Sequence, residues 1–350
     1  MLRMRVVSIV AATAALGLAT VPSWGESFTV GLAPSRGDPL TPDRVAQRGV
    51  ALTIESVNDA EFLGSRARTS AVILKAQILL DRAGFSPGAI NARRTDNFHK
   101  ALAAFQERHG LVGTGKLDQA TWDALVATST EPVLAEYEIT QADTKGPFAP
   151  DIPEEVEEWA RLKRLSYREP SELLAEKFHM DARLLAVLNP ETAFDQLGTR
   201  ILVARVGRPE PYAAVARIEV DKQNRRLRAY DKDGRLVVAF PASVGSEEKP
   251  TPDGVFVVRR IARNPQWRYN PRYAFKEIKT RRAFRVAAGP NNPHGTVWIG
   301  ISKPSYGIHG TPDPEEVGMT ASHGCVRLTN WDAQTLASIV KRGTKVEFVE

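Results

Sequence analysis

The hydrophobic period of the chain changes near residue 212, and this change limits the possible folds more than any other pattern. Upstream, apolar residues recur every three to four positions in short segments, which is typical of helices. Downstream they alternate with polar residues, and the Asp231–Gly234 turn between two alternating runs predicts a β-hairpin. One helix is predicted to begin near Asn330 and to end at Gly343. The sequence therefore predicts a multidomain α+β protein in which residues 212–350 are mostly β.

Composition places the chain among ordinary globular proteins. It has 350 residues, of which 43% are hydrophobic and 25% are charged. These values exclude a disordered, collagen-like or coiled-coil protein as the main class. Lys+Arg minus Asp+Glu is 47 − 41 = +6, which favours an anionic partner. Nucleic acid, an anionic surface and a carboxylate-rich polymer all fit that charge.

The N-terminus has the features of a secretory signal peptide. Arg3 and Arg5 precede an uncharged run over 6–21, and small residues at 23 and 25 suit a cleavage site. We therefore predict a signal peptide over 1–25, with an uncleaved anchor as the alternative, and a spacer over 26–69. Export to the periplasm or cell wall argues against nucleic acid as a partner.

Three short amphipathic helices are predicted within 70–130. Each can begin at a residue that caps helices well, namely Ser70, Thr95 and Asp118. Their apolar faces would meet in a small three-helix bundle around Phe98, Phe105 and Trp122.

This segment resembles the PGBD-like peptidoglycan-binding module. The resemblance is carried by Leu74, Leu79, Gly84-Phe85, Pro87-Gly88, Ile90, Ala104-Phe105-Gln106, Gly110-Leu111, Gly115-Lys116-Leu117-Asp118 and Thr121-Trp122. Where the family usually has Asp-Gly, this chain has Asn91-Ala92. The resemblance implies binding to peptidoglycan, and a helical spacer that binds nothing is the alternative.

Two further segments precede residue 212. Residues 131–160 are acidic and rich in proline, which predicts a linker or extended arm, and Glu154, Glu155, Glu157 and Glu158 are interpreted as a solvated helix start. Residues 161–207 resemble a degenerate LysM unit in their helix–helix–strand order and in Leu188-Asn189-Pro190, although the usual Gly-Asp-Thr start is absent. That resemblance implies glycan binding.

The residues with the clearest chemistry surround the single cysteine, Cys325. It lies in Ser322-His323-Gly324-Cys325, and Arg327 follows; Tyr306 and His309-Gly310-Thr311 lie upstream. A histidine can take the proton of a thiol if a carboxylate or backbone carbonyl orients its other ring nitrogen. Backbone N–H groups at Gly324 and Cys325 could hold an oxyanion, and Arg327 could bind a substrate carboxylate.

A zinc site is the alternative for the same residues. His309, His323 and Cys325 are all suitable ligands, but the sequence offers no obvious fourth ligand. We therefore predict no metal and no cofactor.

The same stretch resembles the YkuD-type L,D-transpeptidase domain. The carriers are His309-Gly310-Thr311, Gly318, Ser322-His323-Gly324-Cys325 and Arg327, with support from Thr251-Pro252-Asp253-Gly254, Gly289-Pro290-Asn291-Asn292-Pro293-His294-Gly295 and Trp298-Ile299-Gly300. The resemblance implies a mostly-β, sandwich-like catalytic domain. His294 itself is interpreted as a loop residue.

The resemblance also implies a role for each site residue. Cys325 would be the nucleophile, and His309 the general base oriented by the Gly310 carbonyl. Ser322, His323 and Gly324 would shape the nucleophile turn and the oxyanion site. Arg327 and Tyr306 would contact the substrate.

The implied reaction is attack on the L,D-peptide bond of a peptidoglycan tetrapeptide stem, release of D-Ala, and transfer of the acyl group to an amine to give a 3→3 crosslink. Carbapenem-type β-lactams would acylate the same thiol. An L,D-carboxypeptidase or endopeptidase, and an enzyme that attaches an outer-membrane lipoprotein, are alternatives on the same scaffold. A non-catalytic peptidoglycan-binding protein is the alternative of another class. The oligomeric state stays open.

Overall fold

The computed structural model describes residues 51–64, 70–207, 211–273, 275 and 278–350. All of them belong to one compact unit, 38–350. The predicted signal peptide 1–25 and most of the predicted spacer 26–69 lie outside the described residues. No helix in the described part of the chain is long and apolar enough to cross a membrane.

Eight α-helices are seen in the described residues. They are α1 Ile54–Asn58, α2 Ser70–Ala83, α3 Asp96–Arg108, α4 Gln119–Val126, α5 Gln141–Thr144, α6 Pro170–Lys177, α7 Ala182–Leu188 and α8 Asn330–Ile339. Short 3₁₀ turns occupy Val156–Arg161, Pro271–Tyr273 and Pro314–Glu316.

The predicted helical bundle is present. Thr95 Oγ1 accepts a hydrogen bond from Phe98 N at the start of α3, and Asp118 accepts one from Thr121 N at the start of α4, as predicted. Phe98 and Phe105 are fully buried between the helices. The loop at Asn91-Ala92 is held by hydrogen bonds to the Gln77 side chain, and Ala92 has a φ of 56°, a conformation that favours glycine.

The segment predicted as a linker contains regular structure. Strand β1 Leu134–Glu138 pairs antiparallel with β2 Arg200–Ala204, and α5, α6 and α7 lie between them in sequence. Apolar residues of this segment share one buried core with the bundle, including Leu134, Leu174 and Leu185. We call residues 70–207 the accessory region, because its parts pack as one body rather than as separate units on a linker.

The C-terminal domain, residues 212–350, is built on one large sheet. Its strands are β3 Arg217–Asp221, β4 Arg226–Tyr230, β5 Leu236–Pro241, β6 Gly254–Arg263, β9 Val297–Ile301, β10 Gly307–His309, β11 Val326–Arg327 and β12 Lys345–Val349. They are ordered β11-β10-β9-β6-β12-β3-β4-β5. A separate hairpin is formed by β7 Trp267–Tyr269 and β8 Phe284–Val286. The predicted α+β class and the predicted hairpin at Asp231–Gly234 are confirmed.

Strand β6 explains the sandwich-like character of the domain. Its first half pairs with β12 and its second half with β9, and the register shifts between Val258 and Arg260. Such an irregularity bends a strand and increases its twist. The sheet therefore curls around a core that includes Ile218, Ile299 and Leu336 from α8.

The accessory region covers the outer edge of this sheet at β5. Ser86 N donates to Ala239 O (2.9 Å), and Ala239 N donates to Gly84 O (3.0 Å). Phe85 therefore pairs with Ala239 as a short parallel bridge and satisfies backbone groups that an edge strand would leave open.

Candidate active site

Two neighbouring parallel strands bring the histidine and cysteine motifs together. Strand β10 pairs with β11, so that Ile308 lies opposite Val326 and His309 opposite Arg327. Side chains at paired positions of adjacent strands point to the same face, so His309 and Arg327 share one face of the sheet. Cys325 directly precedes β11 and enters the same site.

The His309 imidazole is held in one tautomer. Its Nδ1 lies 2.7 Å from the Gly310 carbonyl oxygen. A carbonyl can only accept a hydrogen bond, so Nδ1 carries the proton and Nε2 keeps its lone pair. This is the orienting acceptor that the sequence analysis assigned to Gly310.

Burial keeps His309 neutral. The side chain is 6% exposed, and burial lowers its pKa to about 4. The hydrogen bond to Gly310 opposes this shift, whereas the nearby Arg327 charge adds to it. At neutral pH the imidazole is therefore a free base that can accept a proton.

Two aromatic side chains surround the His309 ring. Trp298 stacks on it with ring centroids 5.6 Å apart at 22°, and His294 lies 5.0 Å away. His294 is half-buried, and this burial lowers its pKa well below the ordinary value. The sequence predicts a loop position for His294 but not this contact. Its position within the Gly-rich 289–295 stretch that supported the family resemblance was the available signal.

The Cys325 thiol is protonated at rest. Burial raises its pKa to about 11, although the Gly307 N–H and the Arg327 charge oppose that shift. The thiol lies 3.8 Å from the Ser305 carbonyl oxygen, to which it donates. A base is therefore needed to generate the nucleophile, because burial disfavours a preformed thiolate.

Ser322 stabilises the turn that carries the cysteine. Its hydroxyl donates to the Cys325 carbonyl oxygen and accepts a hydrogen bond from Gly324 N. Gly324 has a φ of 103°, and a Cβ there would lie 3.2 Å from the Tyr306 ring. The Gly324 N–H, predicted as an oxyanion donor, is thus directed at Ser322 in this structure.

The remaining predicted residues, which include His323, Arg327 and Tyr306, are all at least partly exposed. His323 is exposed, and its ring lies 4.9 Å from that of Phe275 in the β7–β8 hairpin. Arg327 is half-buried and donates to the Ala321 carbonyl oxygen. Lys303 lies 5.2 Å above the Tyr306 ring.

The zinc alternative gains no support from the geometry. Among the described residues, no group of three or more His, Cys, Asp or Glu side chains is arranged to hold a metal ion.

Comparison with known proteins identifies two families along the chain. Residues 215–348 match the YkuD model, described as "L,D-transpeptidase catalytic domain". Residues 69–125 match PG_binding_1, described as "Putative peptidoglycan binding domain". The first match covers the curled sheet and both the histidine and the cysteine motifs, and the second covers the helical bundle.

Individual relatives agree with the first family. The "Putative L,D-transpeptidase YkuD" of Bacillus licheniformis is 34% identical over 182 residues, which is 51% of this chain and 92% of that protein. The "Probable L,D-transpeptidase ErfK/SrfK" of Escherichia coli strain K12 is 36% identical over 137 residues, but only 38% of this chain and 44% of that protein are covered. The solved structure of L,D-transpeptidase 3 from Mycobacterium tuberculosis is 17% identical, with a TM-score of 0.32 over 45% of this chain and 66% of that one.

The fold and the two motifs define a transpeptidase-type domain in which a histidine lies on one of two paired parallel strands and a cysteine directly precedes the other. The chain belongs to the YkuD family of L,D-transpeptidases, joined to a domain of a peptidoglycan-binding family.

Proposed function

We propose that the protein is a cysteine L,D-transpeptidase that acts on peptidoglycan stem peptides. One observation supports this most strongly: β10, which ends at His309, pairs with β11, which Cys325 directly precedes, and the hydrogen bond from Nδ1 to Gly310 leaves the His309 Nε2 available. The pKa values of about 4 for His309 and about 11 for Cys325 correspond to a neutral imidazole and a protonated thiol. This is the resting state that general-base activation of a nucleophile requires.

The first half-reaction forms the acyl-enzyme. His309 Nε2 takes the Sγ–H proton as Sγ attacks the carbonyl carbon of the L,D-peptide bond. The tetrahedral intermediate collapses by breaking the C–N bond, and the His309 imidazolium returns the proton to the departing D-Ala amine. A thioester on Cys325 and a neutral His309 remain.

The second half-reaction reverses the proton path. The incoming amine of another stem gives a proton to His309 as its nitrogen attacks the thioester carbon. The C–S bond breaks, and the proton returns to Sγ. The product is a 3→3 crosslink, and the resting thiol is restored.

The surroundings of the thiol suit a carboxylate-bearing peptide. Arg327 lies on the catalytic face, and Lys249 Nζ lies 4.4 Å above the Phe275 ring, which also contacts His323. A planar guanidinium binds a carboxylate through two donors. We assign substrate contact to Arg327 and to Tyr306, against which the Gly324 turn packs.

The test is mass spectrometry of the products from purified disaccharide-tetrapeptide. We expect a dimer that lacks one D-Ala and contains a 3→3 link. Cys325→Ala should give neither dimer nor acyl-enzyme, while circular dichroism shows the fold retained. Turnover by Cys325→Ala comparable to that of the unaltered chain would refute the nucleophile assignment.

The same assay separates the alternatives on this scaffold. Tripeptide as the sole product would indicate L,D-carboxypeptidase activity. Transfer to an amine of an added outer-membrane lipoprotein, in preference to a stem amine, would indicate lipoprotein attachment. An unacylated Cys325 after exposure to both tetrapeptide and a carbapenem would favour a binding protein without catalysis.

We further propose export to the periplasm or cell wall and attachment to the wall through the accessory region. N-terminal sequencing of protein recovered from the native host tests cleavage after residue 25. Wall attachment is best tested by point variants on exposed positions of the bundle, such as Val112→Asp, because the accessory region shares backbone pairing with β5. Unchanged pelleting with sacculi across a series of such variants would argue against wall binding by the bundle.

A further inference from the structure

The side chain of Asn330 packs directly behind the catalytic histidine. It is fully buried at the start of α8, and its Oδ1 accepts a hydrogen bond from Thr296 N at 2.9 Å. The same oxygen lies so close to Gly310 that a Cβ there would be only 2.1 Å away. Gly310 supplies the carbonyl that orients His309. A shift of the Asn330 amide would therefore move the peptide that holds the imidazole.

A residue of the accessory region holds this amide in place. Asn330 Nδ2 donates to Glu176 Oε2 at 2.9 Å, and Glu176 Oε1 accepts a hydrogen bond from the Tyr167 hydroxyl at 2.7 Å. The Thr296 N–H can only donate, so the oxygen end of the amide must face Thr296 and Gly310. The NH₂ end must then face Glu176.

The link joins the C-terminal domain to a part of the accessory region that neither family match covers. Tyr167 and Glu176 are half-buried and lie in the sequence between the two matches, which cover 69–125 and 215–348. Burial raises the pKa of Glu176 to about 7, against the hydrogen bonds from Asn330 and Tyr167 that lower it. Asn330 Nδ2 has one other acceptor, the Pro290 carbonyl oxygen at 3.3 Å.

We propose that Glu176 is a positioning residue for His309, acting through Asn330 on the Gly310 peptide. The accessory region would thereby complete the catalytic site in addition to any binding role. This proposal rests on the proposed function of His309 as the general base.

The experiment compares three variants of the full chain. Glu176→Ala removes both accepted hydrogen bonds, whereas Glu176→Gln keeps an oxygen that can accept from Asn330. Glu172→Gln is the matched control, because Glu172 lies one turn earlier on α6 and pairs with Arg168. D-Ala release from the tetrapeptide gives kcat and KM, and thermal denaturation reports the fold.

A second readout needs no peptidoglycan substrate. Cys325 is the single cysteine of the chain, so the rate of its alkylation by iodoacetamide reports only on this thiol. His309→Ala provides the reference for a thiol without its base. If the unaltered chain alkylates readily but does not turn over the tetrapeptide, the proposed substrate fails while the role of Glu176 is still tested.

We expect Glu176→Ala to lower kcat about tenfold with little change in KM, because a misplaced base affects the chemical step rather than binding. Its alkylation rate should move towards that of His309→Ala. Glu176→Gln should recover most of both rates, and Glu172→Gln should match the unaltered chain. Unchanged kcat and alkylation in Glu176→Ala would overturn the proposal, as would a Glu176→Gln variant as slow as Glu176→Ala.

A double variant that exchanges the amide and the carboxyl group tests the contact between Asn330 and Glu176. Asn330→Asp alone sets two carboxyl groups against each other, and adding Glu176→Gln restores a donor–acceptor pair with the groups reversed. We expect the double variant to be faster than Asn330→Asp alone, a coupling that residues acting independently do not show. A double variant slower than, or equal to, Asn330→Asp would contradict the proposed link.

Discussion

The two halves of the proposed catalytic site are built differently. His309 lies in a strand, is almost fully buried, and is held by a backbone carbonyl and an aromatic stack. Cys325 lies on a turn, is half-buried, and faces the β7–β8 hairpin through its neighbour His323. His309 is therefore fixed by the core of the domain, whereas Cys325 lies on a turn nearer the surface, where the proposed peptide substrate would reach it.

One glutamate of the accessory region approaches each half. Glu176 reaches the His309 side, where burial raises its pKa to about 7. Glu157 reaches the hairpin, where its Oε1 accepts hydrogen bonds from Lys279 N (2.7 Å) and Thr280 N (3.0 Å). Burial also acts to raise the pKa of Glu157, but these N–H donors and its own backbone N–H outweigh it and lower the pKa. The two carboxyl groups thus shift in opposite directions. At Glu176 burial outweighs the hydrogen bonds from two neutral side chains, whereas at Glu157 three backbone amides and the Lys279 charge outweigh burial.

The largest effect is expected from the fixed side of the site. His309→Ala should slow acylation of Cys325 by about 10²–10⁴-fold, the usual contribution of a general base. Intact mass after exposure to a carbapenem measures this rate. Trp298→Phe, which keeps an aromatic ring beside His309, is the control and should retain most activity. Unchanged acylation in His309→Ala would mean that the thiol is activated by another group.

The pH dependence of acylation distinguishes a neutral base from a preformed ion pair. Since the pKa of His309 is about 4, the rate should stay nearly level through neutral pH and fall only as pH drops towards that value, where the protonated ring can no longer accept a proton. The measurement is the carbapenem acylation rate across the pH range in which the fold is stable. A midpoint close to the ordinary histidine pKa of about 6.5 would contradict the buried, neutral imidazole.

Asp332, in helix α8, should make the free energy of unfolding depend on pH. Burial and the nearby Asp81 raise the pKa of Asp332 to about 7, although hydrogen bonds from Thr329 and Ser86 oppose the shift. A raised carboxyl pKa means that the folded state holds a proton which the unfolded state releases. The contribution of Asp332 to the free energy of unfolding is therefore fully present below its ordinary pKa of about 4. It is lost as pH rises through about 7.

Asp332→Asn removes that titration and tests it. The melting temperature of the variant, relative to that of the unaltered chain, should rise by a few degrees between acidic and mildly alkaline pH. Asp313→Asn, a substitution at an exposed position of the loop between β10 and β11, gives the comparison. A difference between Asp332→Asn and the unaltered chain that is constant with pH would show that Asp332 does not titrate in this range.

The smallest effect is expected at the hairpin. Glu157→Ala should speed hydrogen exchange at the Lys279 and Thr280 amides by about fivefold, since one net hydrogen bond contributes about 1 kcal/mol. Glu157→Gln keeps an accepting oxygen and should protect both amides. Glu158→Ala, on the exposed face of the same turn, should leave them unchanged. Equal exchange in Glu157→Ala and the unaltered chain would show that this carboxylate does not hold the hairpin.

The sequence could predict the chemistry and the local elements but not the contacts between distant segments. Helix caps at Thr95 and Asp118 and the alternation around the Asp231–Gly234 turn depend on neighbouring residues, and the structure has them as predicted. The residues around Cys325 and His309 also indicated the site. Periodicity shows which face of an element is buried, but not what buries it.

Two of the contacts that the sequence did not predict join remote positions. Asn330 and Glu176 are 154 positions apart, and Glu157 and Lys279 are 122 apart. The acidic cluster around Glu157 was interpreted as a solvated helix start. In the structure Glu157 is half-buried against the hairpin, while Glu154, Glu155 and Glu158 are exposed. A run of charged residues in a sequence does not show which of its side chains contacts backbone amides in the fold.

Phe85 pairs with Ala239 at the edge of the sheet, so a C-terminal domain isolated without the accessory region would have an open edge at β5. Strand β5 reads Leu-Val-Val-Ala-Phe-Pro, a short apolar sequence without charge. With residues 84–86 gone, its open backbone groups become a template on which a second molecule can add a strand, and uncharged apolar segments of this kind assemble readily. By pairing with β5, the accessory region covers this edge and opposes self-association. A chain shortened to the C-terminal domain is expected to aggregate for this reason, whatever its catalytic activity.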